Sequence, residues 1–451
     1  MTTGPALARG ISRLEAYATL VGVVVGAGVF VLVGEIGAAT GGSAPLAFLA
    51  LLPVLLTTAL AYAVYISTPL GTRPGGAYLH ISETLGLPVL GYMVMWLKLV
   101  AYLGATAVIA LGFANYAIAL FADPNAQTPG WVTNTAASGL VLVLYVIHVR
   151  GISAYGRLQL YMVVALLAAI LVLVVPGLMS VSASHFDPLF PNGSDGFIRV
   201  LPEVLFAYLG FEALAQLAGE TRDPAKTLPR VFIFGILAAA LIYTAMAFVT
   251  VGVLSMPELA STGTPVSDAA SKYLPAAGAL VVSVGAILAC ASSVNANLVA
   301  PSRLLMVFAQ DGLTPRYIAA VNPTTHTPVR ALTVTVVAIL LLIWTGTMGY
   351  SLQIAIQAMI LLYACHSLTF AILPFANRPL FDAASFKVPP VWVAVTGVFS
   401  AASLAWMTYE KFSASDVWVL LGIWSGVGAA LCLGTRLSEG RRAAVPKEEP
   451  R

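Results

Sequence analysis

Charge is what this sequence has least of. Of 451 residues only 9% are charged, against 59% hydrophobic, and the mean hydropathy is +0.92. An ordinary soluble domain carries about 25% charged residues, so this chain cannot cover a water-facing surface of its size. Soluble enzymes, nucleic-acid binders and disordered chains are excluded together. Cysteine is sparse too. Cys290, Cys365 and Cys432 lie far apart inside apolar runs, without CxxC or Cys/His metal spacing, and read as buried small side chains. The signatures GxSxG, HExxH and the Walker phosphate loop are missing. Neither an enzymatic site nor a resident cofactor or metal is expected.

What is present is an alternation of apolar runs and short polar punctuation, repeated about twelve times. The predicted spans are 14–38, 44–67, 87–120, 133–149, 157–180, 198–218, 228–254, 275–309, 329–348, 351–375, 389–410 and 415–435. With about 20 residues needed per span, twelve spans need roughly half the chain at the least and leave no room for an ordinary soluble domain. Backbone in lipid must satisfy its own hydrogen bonds, so each run is a helix. The runs lack the short alternating segments of an outer-membrane barrel. The fold class is an all-α polytopic membrane protein. Its first apolar run is expected to stay as a span rather than be cleaved as a leader.

The basic residues set the orientation. With the N-terminus in the cytoplasm, eighteen of the 22 Lys and Arg fall on the cytoplasmic side, from Arg9 and Arg13 through Arg303 and Arg330 to the tail beyond Arg436. Only Arg199, Lys272 and Lys411 fall outside, and Lys98 lies within a span. Both termini are therefore expected in the cytoplasm, in a multi-pass protein of the cell membrane.

Two spans look built to break. Span 1 reads Gly22-Val23-Val24-Val25-Gly26-Ala27-Gly28-Val29-Phe30, with small residues some 15–18 Å deep at about 1.5 Å per residue. Glycine there weakens the helix by about 1 kcal/mol relative to alanine and admits a ligand to freed backbone groups; close helix packing is the plain alternative. Span 6 carries Phe206-Ala207-Tyr208-Leu209-Gly210-Phe211-Glu212, five spans later. Paired interruptions in corresponding halves point to a transporter with inverted repeats. Freed amides and a half-helix N-terminus suit a carboxylate; freed carbonyls suit an ammonium or sodium ion. A zwitterionic amino acid has one of each.

These residues resemble the amino acid–polyamine–organocation (APC) permeases. The matching pieces are GVVVGAGVF in span 1, RPGGAY (73–78), FAYLGFEALA in span 6, GETRDPAKTLPR (219–230) and SVNANLVAPSRLLMVFAQDGLTP (293–315). The resemblance implies a LeuT-type five-plus-five inverted repeat with broken helices 1 and 6 and two extra C-terminal helices. The first repeat would cover 14–180, the second 198–375 and the extra spans 389–435, between cytoplasmic tails 1–13 and 436–451. It implies that Gly26, Ala27 and Gly28, beside Val25, donate backbone hydrogen bonds to a substrate carboxylate. The carbonyls around Phe206, Ala207 and Leu209, at the Gly210 break, would receive its amino group. Phe206 matches an aromatic gate, and Glu212 an acidic residue tied to gating or proton sensing. Many proton-coupled relatives carry a lysine in span 5. Here Leu166 stands near that position, and no basic residue follows Arg157 in the span.

That departure leaves two routes for a coupling ion, H+ or Na+. Ser292 and Ser293 of span 8, with span 1 carbonyls, can form a sodium site; a proton can use Lys98 or Glu212. Both of these ionisable groups fall near the midplane, where charge is expensive, and they are candidate partners for each other. Glu203 and Glu35 fall toward the outer ends of their spans. His366 in span 10 reads as hydrogen-bonded filler, and the tyrosines and tryptophans near several span ends as an interfacial belt. The expected activity is secondary transport of a small molecule, a neutral amino acid first and an amine, polyamine or cationic amino acid as the alternative. A channel would want polar rings along a pore. The sequence leaves the oligomeric state open.

Overall fold

The computed structural model describes residues 7–26, 28–121, 128–262, 264–274, 277–346, 348–411 and 415–444, without the side chains of 348–353, 410–411, 415–416 and 439–444. Among these residues there is no strand; one isolated bridge joins Ile11 to Thr221. The first apolar run folds in two pieces, α1 (Arg13–Val24) and α2 (Gly28–Thr40). A capping box starts α1: the Ser12 amide donates to the Glu15 carboxylate at 2.7 Å and the Ser12 hydroxyl accepts from the Glu15 amide. The second run is α3 (Ala44–Ala50) and α4 (Leu52–Ile66), with Pro53 in the first turn of α4. A short buried helix, α5 (Ala77–Leu85), precedes the long α6 (Pro88–Ala119). Then come α7 (Gly130–Val149) and α8 (Ile152–Leu178).

The sixth run is again broken, into α9 (Gly193–Tyr208) and the single turn α10 (Ala213–Gln216). It is followed by α11 (Pro224–Val253), a hairpin of α12 (Met256–Ser261) and α13 (Pro265–Tyr273), and α14 (Gly278–Gln310). The chain ends with α15 (Val329–Thr345), α16 (Met348–Ala376), the short α17 (Arg378–Asp382), α18 (Pro390–Lys411) and α19 (Ser415–Ala444). Among the described residues nine helical stretches are long and apolar enough to cross a membrane, and α15 is a shorter apolar helix. With the two interrupted runs these match the twelve spans expected; the end of the bundle that carries Ile11 and Glu220 is here called the terminal end. The chain is an all-α, multi-pass membrane protein. The last helix runs past the expected boundary at 435 because the polar stretch that follows still has good helix formers.

α14 is the axis of the bundle. It packs on α6, α8, α1 and α15, and every residue from Ala289 to Ala309 is buried. In lipid, helices associate through close packing and interhelical hydrogen bonds rather than by expelling water. α19 shows both. A Cβ on Gly428 would collide with the Trp96 ring, and the Tyr92 hydroxyl donates to the Gly428 carbonyl at 3.0 Å. Trp96 and Trp424 stack at 4.8 Å, each indole N–H donating to the other's carbonyl at 2.9 and 2.8 Å.

The terminal end is sealed. The Arg303 guanidinium grips the Glu220 carboxylate through Nε and Nη2 at 2.8 and 2.9 Å, both side chains at most 1% exposed. The N-terminal segment is tied on top: Ile11 N donates to the Glu220 carbonyl at 3.0 Å, and Arg222 N to the Ile11 carbonyl at 2.9 Å. Removing one partner of a buried ion pair costs about 3–5 kcal/mol, because the other is left uncompensated. Glu220→Gln is therefore expected to lower the melting temperature of the purified protein markedly. The double variant with Arg303→Met should recover most of that loss, and unfolding followed by intrinsic fluorescence measures both.

Candidate functional site

The two helix breaks meet. α1 stops at Val24 and Val25 turns out of helical geometry (φ −82°, ψ 59°). A Cβ on Gly26 would collide with the Ser293 hydroxyl of α14, so the close approach requires glycine. In the other break, Leu209 is extended and Gly210 sits at φ +106°, a backbone that side-chain-bearing residues rarely adopt. One hydroxyl serves both: Tyr243 of α11 shares its proton between the Val24 carbonyl at 2.9 Å and the Ala207 carbonyl at 3.0 Å. The carbonyls freed at the ends of α1 and α9 are thereby pinned to one point.

Beside this junction lies a cavity of ≈ 330 Å³. Its inner part is lined by Gly26, Gly28, Phe206, Ala207, Leu209, Gly210, Tyr243, Ser293 and Asn297, with Lys98, Tyr102 and Met359. α2 begins on this wall, so the positive end of its dipole faces the space. Farther out the wall is apolar, formed by Val31, Leu32, Val108, Ile109, Gly112 and Tyr116, as far as Glu35. A second cavity of ≈ 410 Å³ under the α12–α13 hairpin shares Val31, Glu35 and Tyr116 with the first. A third, of ≈ 250 Å³, joins Glu35 to Arg199 and Glu203. Access therefore runs away from the end that carries Arg303 and Glu220.

Lys98 and Glu212 meet behind the floor. The ammonium is 2.6 Å from Glu212 Oε1, with side-chain exposures of 0% and 1%. Burying a charge pair in this way is tolerable only when the remaining valences are satisfied. Here they are. Glu212 Oε1 also accepts from the Tyr102 hydroxyl at 3.1 Å, and Oε2 from Gly210 N at 3.1 Å and from the Tyr363 hydroxyl. Lys98 lies 4.2 Å from the centre of the Tyr102 ring and touches the Met359 sulfur. One carboxylate thus ties the unwound span 6 to α6 and α16.

Most of the expected site residues come together. Gly26, Gly28, Phe206, Ala207, Leu209, Gly210, Lys98 and Ser293 line one cavity, and Glu212 stands directly behind it. Val25 is buried outside that lining, and Ala27 lies outside the described residues. Ser292 and Ser293 both donate to the Gly22 carbonyl, at 3.3 and 2.8 Å. In span 5, Leu166 is buried away from the cavity. The polar residue of span 5 that faces spans 1 and 8 is Gln159, which donates to the Ala18 carbonyl at 3.3 Å and accepts from Asn295 at 2.7 Å. Sequence reasoning missed Gln159 and the phenols Tyr102, Tyr243 and Tyr363. Their signal was depth: each lies well inside an apolar run rather than at its end.

The α12–α13 hairpin has its own clamp. Glu258 meets Lys272 at 2.7 Å and caps α12 through Ser255. The Lys272 ammonium, with the Ser255 hydrogen bonds, holds the Glu258 carboxyl down to about 2.

A family model described as amino acid permease matches residues 11–429. Among similar proteins, the methylthioribose transporter of Bacillus subtilis (strain 168) is 29% identical over 94% of this chain and 92% of its own length. The branched-chain amino acid permease of Lactococcus lactis subsp. cremoris is 26% identical over 89% and 90%. The serine/threonine exchanger of Bacillus subtilis is 26% identical over 85% and 87%.

Two predictions follow from the geometry of the junction and the hairpin. Tyr243→Phe leaves two buried carbonyls without their donor, at about 1–3 kcal/mol for an unsatisfied group; a lower melting temperature and weaker ligand stabilisation are expected in the same thermal-shift run. A depressed carboxyl adds stability that is full above its unfolded value and lost only as pH falls through its folded one. For Glu258 that loss lies between about 4.3 and about 2. Glu258→Gln should therefore leave the shape of the transport–pH profile near neutrality unchanged.

Proposed function

This chain belongs to the amino acid permease family, and we propose that it is a proton-coupled secondary transporter of neutral amino acids with apolar side chains. The observation that carries this reading is the division of the cavity. Its inner wall offers freed backbone and the positive end of α2, which suit a carboxylate. Its outer wall is apolar and broad enough for a branched, thioether or aromatic side chain. Lys98 and Glu212 cancel each other in net charge, so the inner wall offers no surplus charge to attract a charged side chain. Of the three relatives above, one is named for branched-chain amino acids and one for serine and threonine, and both names agree with a neutral amino acid.

Protons are the better coupling ion on geometric grounds. At the Gly22 carbonyl the two serine hydroxyls act as donors, and the Gln159 amide fills the adjacent space, so the carbonyl oxygen a sodium ion would need is already engaged. The Lys98–Glu212 pair, by contrast, borders the cavity and joins three spans. A proton delivered to Glu212 would free the ammonium for a substrate carboxylate and loosen the hold on Gly210. Substrate would enter from the outer end, and the seal at the terminal end, cytoplasmic in this reading, would open as the outer path closes. The two breaks, five spans apart, support the five-plus-five arrangement. The second reading is an amine substrate, favoured by the Glu35 and Glu203 carboxylates of the outer cavities.

A thermal-shift screen of the purified protein decides between the two. Leucine, methionine and phenylalanine are expected to stabilise it and their decarboxylated amines to have no effect; stabilisation by the amines alone overturns the first reading. A side chain at Gly112 would point toward Cys290, with its nearest sulfur contact at 3.7 Å, and narrow the apolar wall. Gly112→Leu is expected to weaken counterflow of phenylalanine about tenfold, equivalent to ~1.4 kcal/mol, and that of alanine much less. Lys98→Ala should abolish the pH dependence of uptake.

A further inference from the structure

Below the ion pair, toward the terminal end, two histidines meet that the transport cycle described above does not use. His80 of α5 and His366 of α16 are 286 residues apart, both at most 2% exposed, with His80 Nδ1 2.9 Å from His366 Nε2. Each ring is covered by a phenol of α4. Tyr65 stacks on His80 at 4.3 Å and 6°, and Tyr62 on His366 at 4.2 Å and 23°. His366 Nδ1 and the Tyr62 hydroxyl have no hydrogen-bond partner among the described residues. A filler histidine would have both ring nitrogens satisfied or exposed.

Two neutral imidazoles can share one N–H in two ways. If His80 donated from Nδ1, His366 would carry its proton on Nδ1 and bury an orphaned N–H, the rarer and costlier defect. If His366 donates from Nε2 instead, its Nδ1 is a bare lone pair. That second tautomer is the cheaper one, and it presents a buried base. A proton added to Nδ1 makes His366 an imidazolium whose Nε2–H bond to His80 becomes charge-assisted. The Tyr62 and Tyr65 ring faces flank the resulting cation.

The groups that face the pair are Tyr62 and Tyr65 from α4, with Thr84 of α5 hydrogen-bonded to Tyr65 at 2.8 Å. Phe370 of α16 lies beside Tyr65. Phe211 of the span 6 break and Phe232 of α11 lie against Tyr62. Phe211 in turn touches Tyr363, which donates to Glu212. On the outer side of α5 the charged neighbours are Glu83 and Arg73, exposed and paired with each other at 3.4 Å.

We propose that His80 and His366 form a one-proton binding site that clamps α5 to α16 between the Lys98–Glu212 pair and the terminal end. The proton enters on His366 Nδ1 and is held as a single imidazolium–imidazole unit. It tightens the contact between the two elements that flank the exit. Only its service to transport rests on the proton-coupled reading of the preceding section; the binding site itself does not.

The chain has five histidines, few enough for nitrogen NMR on the full-length protein labelled with ¹⁵N-histidine in lipid nanodiscs. Burial among the rings holds the His80 imidazole well below its usual range, so the window lies on the acid side of ordinary imidazole titration: between about pH 7 and about pH 3, His366 Nδ1 is expected to gain a proton while His80 keeps its hydrogen bond. His80→Phe retains the stack on Tyr65 but removes the acceptor, and His366 should then stay neutral throughout. A wild-type pair that remains neutral across the range overturns the proposal, as does an unchanged His366 titration in His80→Phe. In proteoliposomes, His366→Phe is expected to reduce uptake driven by a proton gradient about tenfold and counterflow less than about twofold. Equal losses in both assays contradict the role in coupling. Should the wild type ignore an imposed proton gradient, the coupling reading fails by itself, and the NMR titration still decides the site.

Discussion

A buried ammonium and carboxylate, held 2.6 Å apart in the middle of the bundle, are the constraint around which this molecule is arranged. Alone, either charge would be intolerable at that depth. Together they are acceptable only because Tyr102, Tyr363 and the Gly210 amide supply the remaining hydrogen bonds. Those donors come from three different spans. The requirement to satisfy one carboxylate therefore fixes where the interrupted sixth span sits against α6 and α16. The unwound turn that ordinary helix energetics would forbid is stabilised by the same group.

The first break is held by a different device with the same logic. Tyr243 collects the loose carbonyl ends of α1 and α9 into one hydrogen-bonded point, so the two half-helices share a hinge. On one side of that hinge the chain leaves space, three cavities that share Glu35. On the other it leaves none: Arg303 and Glu220 interlock, and the N-terminal segment is stitched over them. An open outer end and a sealed terminal end around a central ligand-sized cavity are what the proposed alternating access requires of one of its states.

Much of this was legible before the structure. Hydropathy located the spans, since lipid demands continuous apolar helices. Glycine spacing located both breaks, since only glycine tolerates the Gly26 approach and the Gly210 backbone. Lys98 and Glu212 were conspicuous because charge is otherwise absent at that depth. The phenols were not. A tyrosine in an apolar run reads equally as packing or as a hydrogen-bond donor, and only three-dimensional neighbours show which of the two it is. The histidine pair was invisible for a related reason. His366 looked solitary because its partner lies in a short helix outside any span, 286 residues away. Gln159 was overlooked because attention in span 5 fell on an absent lysine near Leu166, two turns farther along.

The central claim is that Lys98 and Glu212 act as one unit that holds span 6 and yields to substrate. A double-mutant cycle on leucine counterflow in proteoliposomes tests it most directly, using Lys98→Met, Glu212→Gln and the two combined. Each single variant strands a buried group and should slow counterflow by about two orders of magnitude. The double variant, with both charges removed, is expected to recover at least about tenfold of that loss, a coupling of ~1.4 kcal/mol or more. Losses that simply add, leaving the double variant slower than either single one, would contradict the account.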